Sequence, residues 1–157
     1  MTIRPLRTED KEPIENLLRA TDVFNDEELD VAVELIEIYL DDPNQKDYEI
    51  FTSVDELDRV NGYVCIGPTP ATQGTYDLYW IAVTPEAHGK GIGSTLLRFT
   101  EEHLRGKGGR LLIAETSSTP KYEKTRAFYL RKGFQQQARI QEYYKPGDDL
   151  IIYGKIL

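Results

Sequence analysis

A mixed α/β layer sandwich built on one sheet is the architecture these 157 residues predict, and three observations carry it. Strand-like and helix-like segments follow one another in the order strand, two helices, three strands, helix, strand, helix, two strands. "YDLYWIAV" (76–83) is the strongest strand pattern in the chain, and "RLLIAET" (110–116) is a continuous apolar run of the kind a buried strand shows. Between these two, a glycine-rich turn passes straight into a leucine-bearing helix.

The elements follow in order. "TIRPLR" (2–7) reads as a short first strand. From Asp10 to Thr21 the spacing becomes helical, with Ile14, Leu17 and Leu18 on one side. Asp26 is expected to cap a second helix of residues 27–40. Its Leu29, Val33, Ile36 and Leu40 recur at helical spacing, and Pro43 closes it. "YEIFTSV" (48–54) and "NGYVCIG" (61–67) pair around the turn-like "DELD", and "PTPATQG" connects them to strand 76–83. The helix after the glycines runs to about Lys107, with Ile92, Leu96, Phe99 and His103 on one face, and "GKGG" (106–109) stops it. Beyond strand 110–116 and the loop "SSTP", a helix from Lys121 to Lys132 ends at Gly133, a good left-handed cap. Two closing strands, about 134–144 and 150–157, flank "KPGDD". With no internal repeat, linker or low-complexity tract, residues 1–157 are expected to form a single domain.

Composition narrows the class of function. A hydrophobic fraction of 39% with ten tyrosines fits a globular chain. No apolar run approaches the roughly 20 residues that span a bilayer, so no membrane association is expected. "MTIRPLRTED" lacks the apolar core of a signal peptide, which points to the cytoplasm. Cys65 is the only cysteine and His88 and His103 the only histidines, so neither a disulfide nor a metal site is expected. Cys65 itself, in an apolar strand, reads as a small buried hydrophobe. The net charge of −8 is unevenly spread. Residues 1–75 carry 18 acidic and 6 basic side chains, a balance of −12, whereas residues 76–157 carry 9 and 13, a balance of +4. An anionic ligand should therefore prefer the second half and a cationic one the first. No basic stripe interleaved with aromatics is present, which disfavours nucleic acid as a partner.

Within "VTPEAHGKGIGSTLL" (83–97), Gly89, Gly91 and Gly93 occupy every second position where a helix must nucleate. Glycine costs about 1 kcal/mol relative to alanine inside a helix, so bare backbone is wanted here for another purpose. The first N–H groups of a helix have no intrahelical acceptor, and the aligned peptide dipoles leave partial positive charge there. Phosphate suits such a place, and missing Cβ atoms let its oxygens approach the backbone. Neither nucleotide pattern fits: "GKGIGST" has no lysine before Ser94, and the third glycine comes one residue too soon for G-x-G-x-x-G.

"HGKGIG" (88–93) resembles motif A of the GNAT superfamily, the acyl-CoA-dependent N-acyltransferases, written [Gln/Arg]-x-x-Gly-x-[Gly/Ala]. Gly91 and Gly93 fit, and His88 stands where the family usually has Gln or Arg. "AFYLRKGF" (127–134) is similar to motif B, in which a tyrosine lies four residues before Gly-Phe. Tyr122 stands where many members carry asparagine. The resemblance runs along nearly the whole chain. It implies the GNAT-like fold, one mostly antiparallel central sheet flanked by helices, with the cofactor in a gap where the fourth and fifth strands splay.

The resemblance also implies a mechanism. Acetyl-CoA would be the acyl donor, with no metal. Backbone N–H groups around Ile81 and Val83 would face the acyl carbonyl and the pantetheine arm. His88, Gly89, Lys90, Gly91, Ile92, Gly93 and Ser94 would hold the diphosphate. Tyr129 matches the family's general acid, and a phenol of pKa about 10 is protonated at neutral pH; the alternative is a tyrosine that simply packs in the core. The attacking amine arrives charged, so a base must deprotonate it. Glu115, at the end of the fifth strand, is the first choice for that base, with Asp77 and Tyr79 as alternatives. Glu115 reads equally as a strand-end carboxylate bonded to nearby backbone. Trp80 is expected in the core, Ser117 and Ser118 in a loop, and Lys121, Lys124 and Arg126 on the surface or near the cofactor's phosphates.

The expected function is transfer of an acetyl group from acetyl-CoA to a primary amine, of a small molecule or a peptide, by direct attack. The rival is a non-catalytic acyl-CoA-binding or regulatory domain on the same fold. The late strands leave room for a homodimer that nothing in the sequence requires.

Overall fold

Each stretch marked by hydrophobic periodicity becomes an element, with ends displaced by a residue or two. In the computed structural model, which describes residues 1–157, the strands are β1 (Thr2–Pro5), β2 (Glu49–Val54), β3 (Val60–Pro68), β4 (Thr75–Val83), β5 (Leu111–Ser117), β6 (Gln135–Lys145) and β7 (Asp148–Ile156). The helices are α1 (Lys11–Ala20), α2 (Asp26–Asp41), α3 (Ile92–Gly106) and α4 (Glu123–Arg131). The seven strands form one sheet in the order β1-β2-β3-β4-β5-β7-β6. Pairing is antiparallel for β1–β2, β2–β3, β5–β7 and β6–β7, and parallel for β4–β5. No helix is long and apolar enough to cross a membrane.

The chain divides into two compact units, one of Met1–Gly67 with Tyr79–Thr100, the other of Pro68–Leu78 with Glu101–Leu157. In the first, α1 buries Ile14, Leu17 and Leu18 and α2 buries Leu29, Ala32 and Ile36 in one cluster with Ile50, Tyr63 and Cys65 from the strands. This is the apolar stripe expected of each helix, except that Ala32 takes the deep place beside a half-buried Val33. Trp80 is part of this packing and meets Phe24 edge-on at 4.9 Å. Burial pushes the Cys65 thiol up to about 12, so Cys65 is the inert apolar residue its strand suggested.

One expectation needs correction. The cap of α2 is Asn25, not Asp26: Asn25 Oδ1 accepts the Glu28 N–H at 2.8 Å, and Glu28 Oε1 accepts the Asn25 N–H at 3.1 Å. Both residue types cap well, and the reciprocal pair with a glutamate three positions on decides for Asn25. Nearby, the buried Asp10 takes both Arg4 Nη1 at 2.6 Å and Nη2 at 3.0 Å, plus the Arg7 N–H at 2.8 Å. Burial acts to raise the Asp10 carboxyl, but these bonds and the Arg4 charge outweigh it and hold it below the usual range.

In the second unit the β3–β4 connection is pinned to the start of β5. The Gly74 carbonyl accepts the Arg110 N–H at 2.7 Å, and the Gln73 carbonyl accepts Arg110 Nε at 2.7 Å. Side chains alternate along β5: Leu112, Ala114 and Thr116 are buried, while Leu111, Ile113 and Glu115 take the other face. β6 is the edge strand. A bulge over residues 141–144, with Glu142 at φ 51°, breaks its register and blunts that edge.

The end of α4 explains the spacing of tyrosine, glycine and phenylalanine in "YLRKGF". Gly133 is left-handed at φ 89°, its N–H donates to Leu130 O at 3.2 Å, and the Phe134 N–H donates to Tyr129 O at 3.0 Å. This is the paired-bond helix stop that glycine permits, completed by an apolar contact between the residue after the glycine and the one five before it. Here that contact is Phe134 on Tyr129, with ring centroids 5.0 Å apart. An added Cβ at Gly133 would meet only Lys155 Cε at an ordinary 3.6 Å, so backbone strain alone opposes a side chain. Gly133→Ala is therefore expected to lower stability by about 1–2 kcal/mol, read as a lower urea midpoint with an unchanged slope.

Candidate functional site

The first unit supplies the glycine loop. After β4 the chain makes a short turn over Pro85–Ala87, and α3 starts at Ile92. Gly89 (φ 81°) and Gly91 (φ 79°) are both left-handed, and nothing stands within 4 Å of where a Cβ would project from either. The first bond into the helix runs from the Thr95 N–H to Gly91 O at 3.0 Å. The N–H groups of Ile92, Gly93 and Ser94 thus precede any intrahelical acceptor. Bare backbone, open space and first-turn donors coincide here, which is the combination a diphosphate needs.

His88, at the first position of the motif, is bonded to the strand before the loop. Its Nε2 lies 3.0 Å from Val83 O. A carbonyl can only accept, so Nε2 carries the hydrogen and the ring ties the loop back to the end of β4. Thr84 Oγ1 donates to Glu86, and that bond lowers the Glu86 carboxyl. Ile81 and Val83 lie on β4 and are half-buried, and Lys90 is exposed.

The second unit holds both residues assigned to proton transfer. Tyr129 on α4 is 5% exposed, with its ring against Phe134 and Tyr153 at centroid distances of 5.0 and 6.0 Å. Burial pushes its phenol well above the ordinary value, so it stays protonated at any working pH. Glu115 lies on the less buried face of β5, and its carboxyl is raised, first by partial desolvation and then by the charge of Asp77. Asp77 in turn accepts Thr69 Oγ1 at 2.8 Å. Sequence reasoning named both carboxylates as rival bases and missed that they share a face.

Other residues take structural roles. Arg126 Nη1 donates to the carbonyls of Ser117 and Thr119 at 2.7 and 2.8 Å, which ties α4 to the preceding loop. Ser117 ends β5 and donates to Asp148 Oδ1 at 2.5 Å, while Ser118 Oγ accepts the Asp149 N–H at 2.8 Å. A surface hollow of about 540 Å³ beside α1, edged by Glu9, Glu12 and Glu15, also carries Lys11 and Arg19. Arg19 pairs with Glu15 at 3.1 Å, so local cations already answer part of that charge. No group of His, Cys, Asp and Glu large enough to hold a metal is present.

Residues 46–136 match the acetyltransferase (GNAT) domain family, and the chain belongs to it. A candidate acetyltransferase of that family from Desulfovibrio desulfuricans is 42% identical, covers 99% of this chain and 98% of its own, and superposes with a TM-score of 0.92. An aminoglycoside 6'-N-acetyltransferase complexed with coenzyme A is 18% identical over 99% of this chain and 97% of its own, at a TM-score of 0.77. The ribosomal-protein-S18-alanine N-acetyltransferase of Escherichia coli is 19% identical over 99% and 92%, also at 0.77. At those identities the last two show the fold alone. No match is found among curated protein sequences.

Proposed function

We propose that this chain is a single-domain, acetyl-CoA-dependent N-acetyltransferase acting on a primary amine of a small molecule or peptide by direct attack. The observation that carries the reading is the loop from Gly89 to Ser94, where two left-handed glycines and the first donors of α3 stand open together. Acetyl-CoA, when bound, supplies the activated acyl carbon. Backbone N–H groups of Gly91, Ile92, Gly93 and Ser94 hold its diphosphate, with Gly89 and Lys90 completing the turn and His88 bracing it on Val83. N–H groups of the Ile81–Val83 segment orient the acyl and pantetheine portion, and a fixed donor of this kind stabilises charge on the carbonyl oxygen during attack. Glu115 takes the proton from the arriving ammonium. Tyr129 gives one to the departing sulfur.

The acidic balance of residues 1–75 favours a cationic acceptor over an anionic one. The test has two parts. Calorimetry with coenzyme A and acetyl-CoA should show uptake of both by the folded protein. A panel of alkylamines, amino acids, polyamines and peptides with free amino termini should then show turnover with cationic acceptors. Turnover confined to anionic acceptors removes the charge argument, and absence of uptake removes the acetyltransferase reading. Tyr129 packed into the core also suits a domain that binds acyl-CoA without catalysis. Substitution of that residue separates the two.

A further inference from the structure

Asp77 and Glu115 are neighbours by construction of the sheet. The parallel register sets Asp77 opposite Ile113, and Glu115 is two residues further along β5 on the same face. Diagonal neighbours of this kind lie within reach of long side chains. Thr69 fixes Asp77 through the 2.8 Å bond to Oδ2, and the Thr69 N–H is itself held by Thr75 O at 2.9 Å. On the other side of Glu115 stands Ile152, and Gly154 is opposite Ile113, so β7 directly opposes these two positions with no charge.

The remaining charges near β5 are committed elsewhere. Asp148 of β7 takes the Ser117 hydroxyl. Lys155 binds Glu101 at 2.8 Å and lies over Phe134. Arg126 from α4 is spent on two carbonyls. Asp77 is therefore the one fixed charge that faces Glu115 from a neighbouring strand, and it agrees in sign with the upward displacement of the Glu115 carboxyl.

We propose that Asp77, held in place by Thr69, is the positioning residue that makes Glu115 a base: a stationary negative charge on the same sheet face, which increases the hold of Glu115 on the acceptor's proton. This rests on the acetyl-transfer reading and assigns a division of labour within it. One proton passes from the ammonium to the Glu115 carboxylate, giving a neutral amine and a carboxylic acid. The nitrogen lone pair then forms the C–N bond as the C–S bond breaks; the sulfur leaves with that electron pair and takes the Tyr129 proton, and the surplus proton on the new amide nitrogen passes to solvent. Glu115 later releases its proton to solvent and Tyr129 regains one from it. Asp77 keeps its charge throughout and exchanges nothing. Two carboxylates made unequal by their surroundings can divide work in this way.

The first arm of the test needs no acceptor. In full-length protein with carboxyl-labelled aspartate and glutamate, the Glu115 signal is followed by NMR across pH in the parent, Asp77→Asn, Thr69→Val and Thr69→Ser. Without the neighbouring charge Glu115 loses its proton more easily, so in D77N it should titrate at lower pH than in the parent. Thr69→Val, which releases Asp77 to turn away, should move it the same way by less, and Thr69→Ser should restore the parent value. In turnover, the acid limb of kcat/KM should move to lower pH in D77N. kcat on the plateau should fall about tenfold, because a weaker base removes the proton less well. A Glu115 titration unmoved in D77N overturns the proposal, as does an unmoved acid limb. Either result leaves coenzyme A uptake untouched, whereas a parent that takes up no coenzyme A fails the acetyl-transfer reading itself.

Discussion

Tyr129→Phe is expected to lower kcat by about a hundredfold or more, the usual contribution of a positioned acid, while coenzyme A uptake and folding stay near the parent. The substitution removes one oxygen and keeps the ring that packs on Phe134 and Tyr153. A phenylalanine in that place fills the same space, so a core role alone would make the change silent. Burial raises the Tyr129 phenol well above its ordinary value. That makes it a reluctant acid in water, where a thiol is the stronger one. A thiolate withdrawn from water is destabilised by the same surroundings, so the transfer depends on desolvation of both partners. Because the phenol stays protonated, activity should show no basic limb from Tyr129 below pH 10. Equal kcat in mutant and parent would take Tyr129 out of the chemistry and favour the binding-only reading.

Gly91→Ala should weaken coenzyme A binding by roughly ten- to a hundredfold, the worth of a bond to a charged group. The argument depends on a matched control. Gly91 at φ 79° and Gly147 at φ 81° are both left-handed, and a Cβ at either would point into open space. Alanine should therefore cost each about the same stability, some 1–2 kcal/mol. Only at Gly91 would the new methyl group stand where the diphosphate must approach. Calorimetry on the pair, with melting curves alongside, separates strain from occlusion. If G147A weakens binding as much as G91A, the effect is general destabilisation and the loop has lost its assignment.

Much of this was legible in the sequence because local rules set it. The strand, glycine turn and helix from Tyr76 to Lys107 follow from periodicity and from the conformational freedom of glycine, and the stop at Gly133 follows from the same freedom. Asn25 against Asp26 shows the limit: two adjacent residues both cap helices, and only the answering bond from Glu28 chooses between them. His88 stands in the motif, and its ring bonds to the Val83 carbonyl five residues back. No pattern of residue types records such a bond. The relation of Asp77 to Glu115 was hidden for another reason. It depends on which residue of β4 lies opposite Ile113, and register is fixed by the whole sheet. The division into two compact units follows no linker, because the chain passes between them three times, at the end of β3, within β4 and within α3.

The burial of Cys65 on β3 has a use at the bench. Its thiol is 1% exposed and pushed up to about 12, so the folded protein offers disulfide-exchange reagents no reactive sulfur of its own. A colorimetric reading of thiol in a turnover mixture therefore counts product alone. Modification of Cys65 waits on openings of the surrounding core, so its labelling rate is a clock for that unfolding built into the chain.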